Sequence, residues 1–448
     1  TTTTAGPVEP SGPTVRIEPG DDAALVVANA EAETTFVFAS GVHRGVSVAP
    51  RDGDVFTAEP DAVLSGAVVV TGFEAVDGRW RATVEDTPNE PFGLCAPDRP
   101  ACGLDEELFL DGRPIERVTD ASALTADSWW FDPAGPAVVL GADPGERTVE
   151  LSVTSWALRS PARDVTVRGL ELRHYANQAG IGVVHVDEGG GGWIVQACRI
   201  IDSHGVGIVV RDGSTIEGCW VDGMGQQGIG AGGADLLIAR NVLARNNRLG
   251  FDAAWSAGGA KFAFTDGLVV RENVVLANDG AGLWTDLDCV DTLYEDNWVQ
   301  GNSGAGIFHE ISYAATIRGN TVLDNGDGAP GWIWGAGIQV AGSADVTIER
   351  NIVRGNRHGI AGVDQQRGEG QFGEYRLRNL TVVDNVVADS GQVGIAQDHD
   401  FLEVYEAGHR FERNEYVGDT QFAWVGGVTG FDAWQQAGND LDGSYREN

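Results

Sequence analysis

The chain has 448 residues, 42% of them hydrophobic, with 63 Gly and only 16 Pro. That is too apolar for a disordered chain, and the glycines carry no collagen period. A formal net charge of −36, from 30 basic and 66 acidic residues, argues against nucleic acid, an anionic membrane or an acidic polymer as partner, and no run is long and apolar enough to be a spanning helix.

The first residues, to about Pro13, are rich in Thr, Pro and Gly and begin without Met, which reads as a mature terminus or a cut edge. FVFASGVHRGVSVAP and GDVFTAEPDAVLSGA then read as strand–turn–strand units, so residues 14–67 are expected to form the first rungs of a solenoid. Residues 68–150 break that pattern. RWRATV, LFLDGRPIERV, SWWFDP and AVVLGADP look like antiparallel hairpins, a small β insertion. Inside it Cys95 and Cys102 flank a short Pro-containing loop, CAPDRPAC. A local disulfide there would suit a secreted protein, and two free thiols are the alternative. With Cys198, Cys219 and Cys289 the count is odd, so at least one thiol stays unpaired.

Residues 151–400 carry an internal repeat. VQACRI, IEGCWV, IARNVL, VRENVV, YEDNWV, IRGNTV, IERNIV and VVDNVV align with Cys198, Cys219, Asn241, Asn273, Asn297, Asn320, Asn351 and Asn385 at the fourth position. The steps between them are 21, 22, 32, 24, 23, 31 and 34 residues, a base period of 21–24 with three insertions. A second Asn often follows five positions later (Asn246, Asn278, Asn302, Asn325, Asn356), and then a Gly-apolar pair such as Gly282-Leu283 or Gly306-Ile307. The runs between these marks are too short and too Gly-rich for helices. A coil of three short parallel strands per turn fits, so the expected fold is all-β, a right-handed parallel β-helix. Like residues then stack about 4.8 Å apart, and buried Asn side chains in register can bond along the stack. The GIGAGG run at Gly228–Gly233 has no helix after it and reads as a rung rather than a dinucleotide loop. Residues 401–448 have mixed character and are expected to cap the open core.

Aligning the strands after the Gly-apolar pairs gives GFDAAWS, GLWTDLD, GIFHEIS and GIQVAGS. By alternation Phe251, Leu283, Ile307 and Ile338 point inward. Asp252, Trp284, Phe308 and Gln339 point outward, followed by Ala254, Asp286, Glu310 and Ala341. Asp288 and Ser312 extend the row if alternation holds, and His309 has an inward phase. Asp286 and Glu310 thus neighbour each other on adjacent rungs, with backbones about 5 Å apart. Two carboxylates that close suit a two-carboxylate glycosidase mechanism, and their mutual repulsion would raise one pKa. Two solvated surface acids are the plain alternative in so acidic a chain. Trp284 and Phe308 offer apolar faces to a sugar ring. An insertion from Trp255 to Gly267 could wall the groove and bring in Lys261, the only lysine.

The run GGAKF…GLVVRENVVLANDGAGLWTDLD…TLYEDN…GAGIFHEISYAATIRGN resembles secreted bacterial right-handed β-helix proteins, from about Phe36 to Asn385, and LFLDGRPIERV–WWFDP–VVLG is similar to their β insertion. The arrangement is also similar to the β-xylosidase family of parallel β-helix glycoside hydrolases. That resemblance implies Asp286 as nucleophile and Glu310 as acid/base. It also exposes a departure: Ser256 stands in AWSAGGAKF where such proteins usually carry Glu, unless Asp252 replaces it.

The expectation is a secreted enzyme acting on an oligosaccharide or polysaccharide, most simply a glycoside hydrolase needing no cofactor or metal. Asp288, Trp284, Lys261, His309, Asp252 and Trp255 would line the sugar site. A polysaccharide lyase or epimerase with Lys261 or an Arg as base, and a non-catalytic glycan-binding solenoid, are the alternatives.

Overall fold

The computed structural model describes residues 12–85, 88–329, 331–400 and 402–447, so the stretch read as a mature terminus lies almost wholly outside it. Each rung contributes one strand to each of three parallel sheets. In one rung these are Val269–Arg271 on the first face, Val274–Leu276 on the second and Ala281–Asp286 on the third. Among the described residues the first and second faces have 13 strands and the third has 12, of which the last, Gly427–Thr429, is antiparallel. Pairing runs rung to rung in parallel, as in Val270↔Tyr294 and Val275↔Val299.

The middle residue of each short strand faces inward. Val270, Tyr294, Ile317 and Ile348 on the first face meet Val275, Val299, Val322 and Val353 on the second and Leu283, Ile307 and Ile338 on the third, all fully buried. Each such side chain contributes about 1.5–3 kcal/mol by leaving water.

The corners explain the asparagines. The residue before each ladder Asn is left-handed: Arg240, Glu272, Asp296, Arg350 and Asp384 have φ between 53° and 56°. For a non-glycine this costs about 1–2 kcal/mol, and it turns the next side chain into the core. There Asn297 shows the compensating bonds. Its Nδ2 donates to Val270 O and to Asn320 Oδ1, each at 2.9 Å. Its Oδ1 accepts from Asn273 N at 3.0 Å and from Asn273 Nδ2 at 2.9 Å. The second corner repeats the device through Asn246, Asn278, Asn302, Asn325 and Asn356, ending on Ser390 Oγ. A third corner stacks Cys289, Ser312 and Ser343. Ser312 is therefore buried and does not extend an outer row.

The first ladder runs past Asn385 to Asn414 and stops on Asp440. The Asp440 carboxylate accepts from Asn414 N and Nδ2 (3.1 and 2.9 Å), Tyr416 OH (2.7 Å) and Trp434 Nε1 (3.1 Å). Regular strands continue to Ser444–Arg446, and the helix Phe431–Gln436 packs Trp434 over the open core. At the other end the helix Ala23–Asn29, capped by Asp22, buries Ala23 and Val27 on the first rungs.

An eight-stranded sheet from Ala67–Val70 to Val149–Ser152 interrupts the coil. It has its own core around Trp129, Leu108 and Leu151. Its pairs are antiparallel apart from Arg113–Arg117 with Ser128–Asp132. Cys95 and Cys102 form a disulfide with Cα atoms 5.7 Å apart.

Candidate active site

The third face carries the two predicted carboxylates. Leu283↔Ile307, Trp284↔Phe308 and Thr285↔His309 are paired, and Asp286 and Glu310 each come next along their strands. Glu310 continues in register with Ala341. The rung before them differs from expectation. Its strand is Gly258–Asp266, so Ala260, Lys261 and Ala263 occupy the positions assigned to Phe251, Asp252 and Ala254. The insertion precedes this strand instead of following it. Gly250-Phe251 imitates the Gly-apolar mark, but Phe251 bridges to Cys95 and packs beside Trp255.

Lys261 therefore lies in the outward column directly before Trp284. Its Nζ is 2.8 Å from Asp286 Oδ2, donates to Trp255 O at 2.9 Å and sits 3.6 Å from the Trp284 ring centre. Trp284 stacks on Phe308 at 5.5 Å, and Trp334 meets Phe308 edge-on at 6.1 Å. Among the described residues, Asp286 Oδ1 and Trp284 Nε1 are buried and have no hydrogen-bond partner. An orphan donor and an orphan acceptor thus sit two residues apart on one strand, where unmade bonds are costly.

Glu310 Oε1 accepts from Arg367 Nη1 at 2.9 Å. Burial pushes the Glu310 carboxyl up, and the nearby Asp286 charge adds to this. Arg367 and Lys261 oppose the rise without cancelling it.

The other predicted residues scatter. Leu287 and Asp288 are both left-handed, at φ 62° and 57°, which ends the alternation before Asp288. Its Oδ1 accepts from Gln371 N at 2.9 Å and Tyr375 OH at 2.8 Å, tying down the segment 365–378. His309 faces the core, bonding to Thr285 Oγ1 at 2.7 Å and Tyr313 O at 3.2 Å, and burial lowers its pKa to about 4. It cannot reach a sugar on the outer face. Asp252 caps the one-turn helix Ala253–Ser256 through Ala254 N at 2.9 Å, so it does not stand in for an acid at Ser256. The Ser256 hydroxyl bonds to Gln227 Oε1 at 3.1 Å. Trp255 touches the site through its carbonyl, while its ring lies against Phe251 and Phe92.

Sequence reasoning missed Arg367, Tyr375 and Trp334. All three sit on the insertions behind the 31- and 34-residue steps, which marked loops without saying where they fold. Asp364 pins the base of the later one. It is fully buried and accepts from Arg376 Nε and Nη2 (2.9 and 2.7 Å), Leu377 N (2.7 Å) and His399 Nε2 (2.8 Å). Burial pushes its pKa up, but those donors outweigh burial and hold it below the usual range.

A family model described as a right-handed β-helix region matches residues 180–335. The fold is a right-handed parallel β-helix. Among solved structures, the chain is similar to XylC in complex with xylose (TM-score 0.70, 14% identity, covering 89% of this chain and 81% of that one). It is also similar to a PL6 alginate lyase in complex with a trisaccharide (TM-score 0.54, 14% identity, 97% and 88%). A third is the A-module of the Azotobacter vinelandii mannuronan C-5 epimerase AlgE4 (TM-score 0.52, 10% identity, 95% and 91%). At these identities the likeness concerns the fold. No curated protein sequence matches the chain.

Proposed function

We propose that this protein is a secreted glycoside hydrolase that works with Asp286 and Glu310. One observation carries the reading: two carboxylates on adjacent rungs are each paired with a cation, and burial beside Asp286 still raises Glu310. Asp286 is paired with the Lys261 ammonium, while Glu310 is raised by burial and by Asp286. A carboxyl raised by burial beside an ion-paired carboxylate is suited to donate the proton while its neighbour attacks. Asp286 attacks the anomeric carbon while Glu310 protonates the departing oxygen, and Glu310 then activates the water that releases the sugar. The orphaned Asp286 Oδ1 and Trp284 Nε1 leave hydrogen-bonding capacity unmet beside the pair; Trp284 itself is buried between Lys261 and Phe308, contrary to its expected role as a sugar platform, which leaves the half-buried Phe308 as the apolar surface of the site. The Asp286 and Glu310 side chains are each 10% exposed, so both are shielded from bulk water while still accessible. The Cys95–Cys102 disulfide supports an oxidising compartment, and the fold shared with XylC solved with xylose supports a carbohydrate substrate.

The experiment is a screen against aryl glycosides and plant and microbial polysaccharides, with Asp286→Asn and Glu310→Gln as controls. Each variant should stay folded and lose at least about 10²-fold in turnover. Undiminished turnover in either one would sink the assignment. A lyase or epimerase reading draws on Lys261 and Arg367 flanking the carboxylates, although both cations are already engaged there. Ultraviolet absorbance from an unsaturated uronide product would favour the lyase over hydrolysis.

A further inference from the structure

The second face carries a feature the carboxylate site does not use. On six consecutive rungs its first outward column reads Trp220, Val242, Val274, Trp298, Thr321 and Ile352, linked by parallel pairing. None is charged, in a chain with 30 basic and 66 acidic residues. Trp220, Trp298 and Ile352 are 45%, 44% and 50% exposed. By strand spacing the strip is about 24 Å long.

Both indoles are held by their own strand. Trp220 Nε1 donates to Asp222 Oδ2 at 3.1 Å, and Trp298 Nε1 donates to Gln300 Oε1 at 3.1 Å. A donor tied to the outward neighbour two residues on lays each ring along its strand and leaves a broad ring surface to solvent. The two rings are three rungs apart, about 14 Å, too far for one sugar ring and suited to separate rings of one chain.

Width and charge select the occupant. The strip is one to two side chains wide, a few hundred Å², against the roughly 800 Å² per partner of a stable protein interface. A second copy would also bring another net charge of −36. The same charge repels an anionic polymer. An uncharged strip, long and narrow, complements an uncharged chain with apolar ring faces.

We propose that the second face binds a neutral polysaccharide lengthwise along the coil axis, with Trp220 and Trp298 as its two stacking platforms. This binding needs neither Asp286 nor Glu310, so it stands apart from the hydrolase reading. The protein would hold the polymer on one face while the third face carries the carboxylate pair.

The test is depletion of the full-length protein from solution by microcrystalline cellulose, insoluble xylan and insoluble chitin, with calcium alginate gel as the anionic comparison. The wild type should be retained on at least one uncharged polymer, and Asp286→Asn should be retained equally. The Trp220→Ala/Trp298→Ala double variant, with an unchanged circular dichroism spectrum, should lose at least ten-fold in affinity. Trp298→Tyr should keep most of it. Three results would overturn the proposal. One is no wild-type retention on any uncharged polymer. Another is full retention of the double variant. The third is a dimer, seen by sedimentation, that the double variant dissolves, which would make the strip a protein interface.

Discussion

Replacing Asn297 by alanine would cut the first-corner ladder in its middle. Four hydrogen bonds disappear: the two that Nδ2 gives to Val270 O and Asn320 Oδ1, and the two that Oδ1 takes from Asn273 N and Nδ2. At about 1 kcal/mol net per bond this comes to about 4 kcal/mol, and the stranded, buried Asn273 N–H pushes the loss upward. Asn297→Asp keeps both acceptor positions but removes both donations and brings a charge into the core, so it should cost at least as much. Asp296→Gly is the control. It relieves a φ of 53° beside the same Asn and should change stability by less than about 1 kcal/mol. Denaturant unfolding gives the magnitude. Because stacked rungs can lose cooperativity, amide exchange at Asn273 is read alongside. A loss under 1 kcal/mol for Asn297→Ala, with that amide still protected, would refute the account of the ladder.

Three other outcomes follow from the site and its surroundings. Arg367→Ala removes a group that lowers the Glu310 pKa, so the alkaline limb of the pH–rate profile should move to higher pH; an unmoved limb separates Glu310 from the limb. Arg376→Leu leaves Asp364 buried with fewer donors and should cost about 3–5 kcal/mol. It should also sensitise 365–378 to proteolysis and reduce turnover through Arg367 and Tyr375; a variant as resistant as wild type would show that the segment is held otherwise. His309 is held neutral with its pKa lowered from 6.5 to about 4, so its contribution is full above pH 6.5 and is lost as pH falls toward 4. That loss approaches about 3 kcal/mol. His309→Leu should flatten this part of the pH–stability curve, and an unchanged curve would count against a buried neutral imidazole.

The coil was legible because its corners demand one residue type at a fixed step. The left-handed residue and the inward Asn recur together, so the rungs from Asn241 to Asn385 could be counted without coordinates. Asn414 obeys the same pattern in FERNEYV but stands after an irregular stretch, and the ladder's last acceptor, Asp440, lies behind a helix. The pairing of Asp286 with Glu310 came from register alone, since both follow a Gly-apolar mark at equal distance. Lys261 was misplaced because Gly250-Phe251 copies that mark inside a loop. Arg367 and Tyr375 reach Glu310 and Asp288 across 57 and 87 residues, from a loop whose sequence has no period to read.

Asp440 gives the ladder a direction. From Asn241 onward every Asn-to-Asn bond runs the same way, each side-chain amide donating to the next Asn Oδ1 and accepting from the Asn before it. The donor end of this row meets a carboxylate, and the acceptor end meets the Cys219 N–H. The coil is therefore closed at its C-terminal end and repetitive in between. Whole rungs could be added or deleted between Asn273 and Asn385 with the bonding partners at both ends unchanged. Ending the chain before Asp440 would strand the buried Asn414 N–H and Nδ2, the Tyr416 hydroxyl and the Trp434 Nε1 without their shared acceptor.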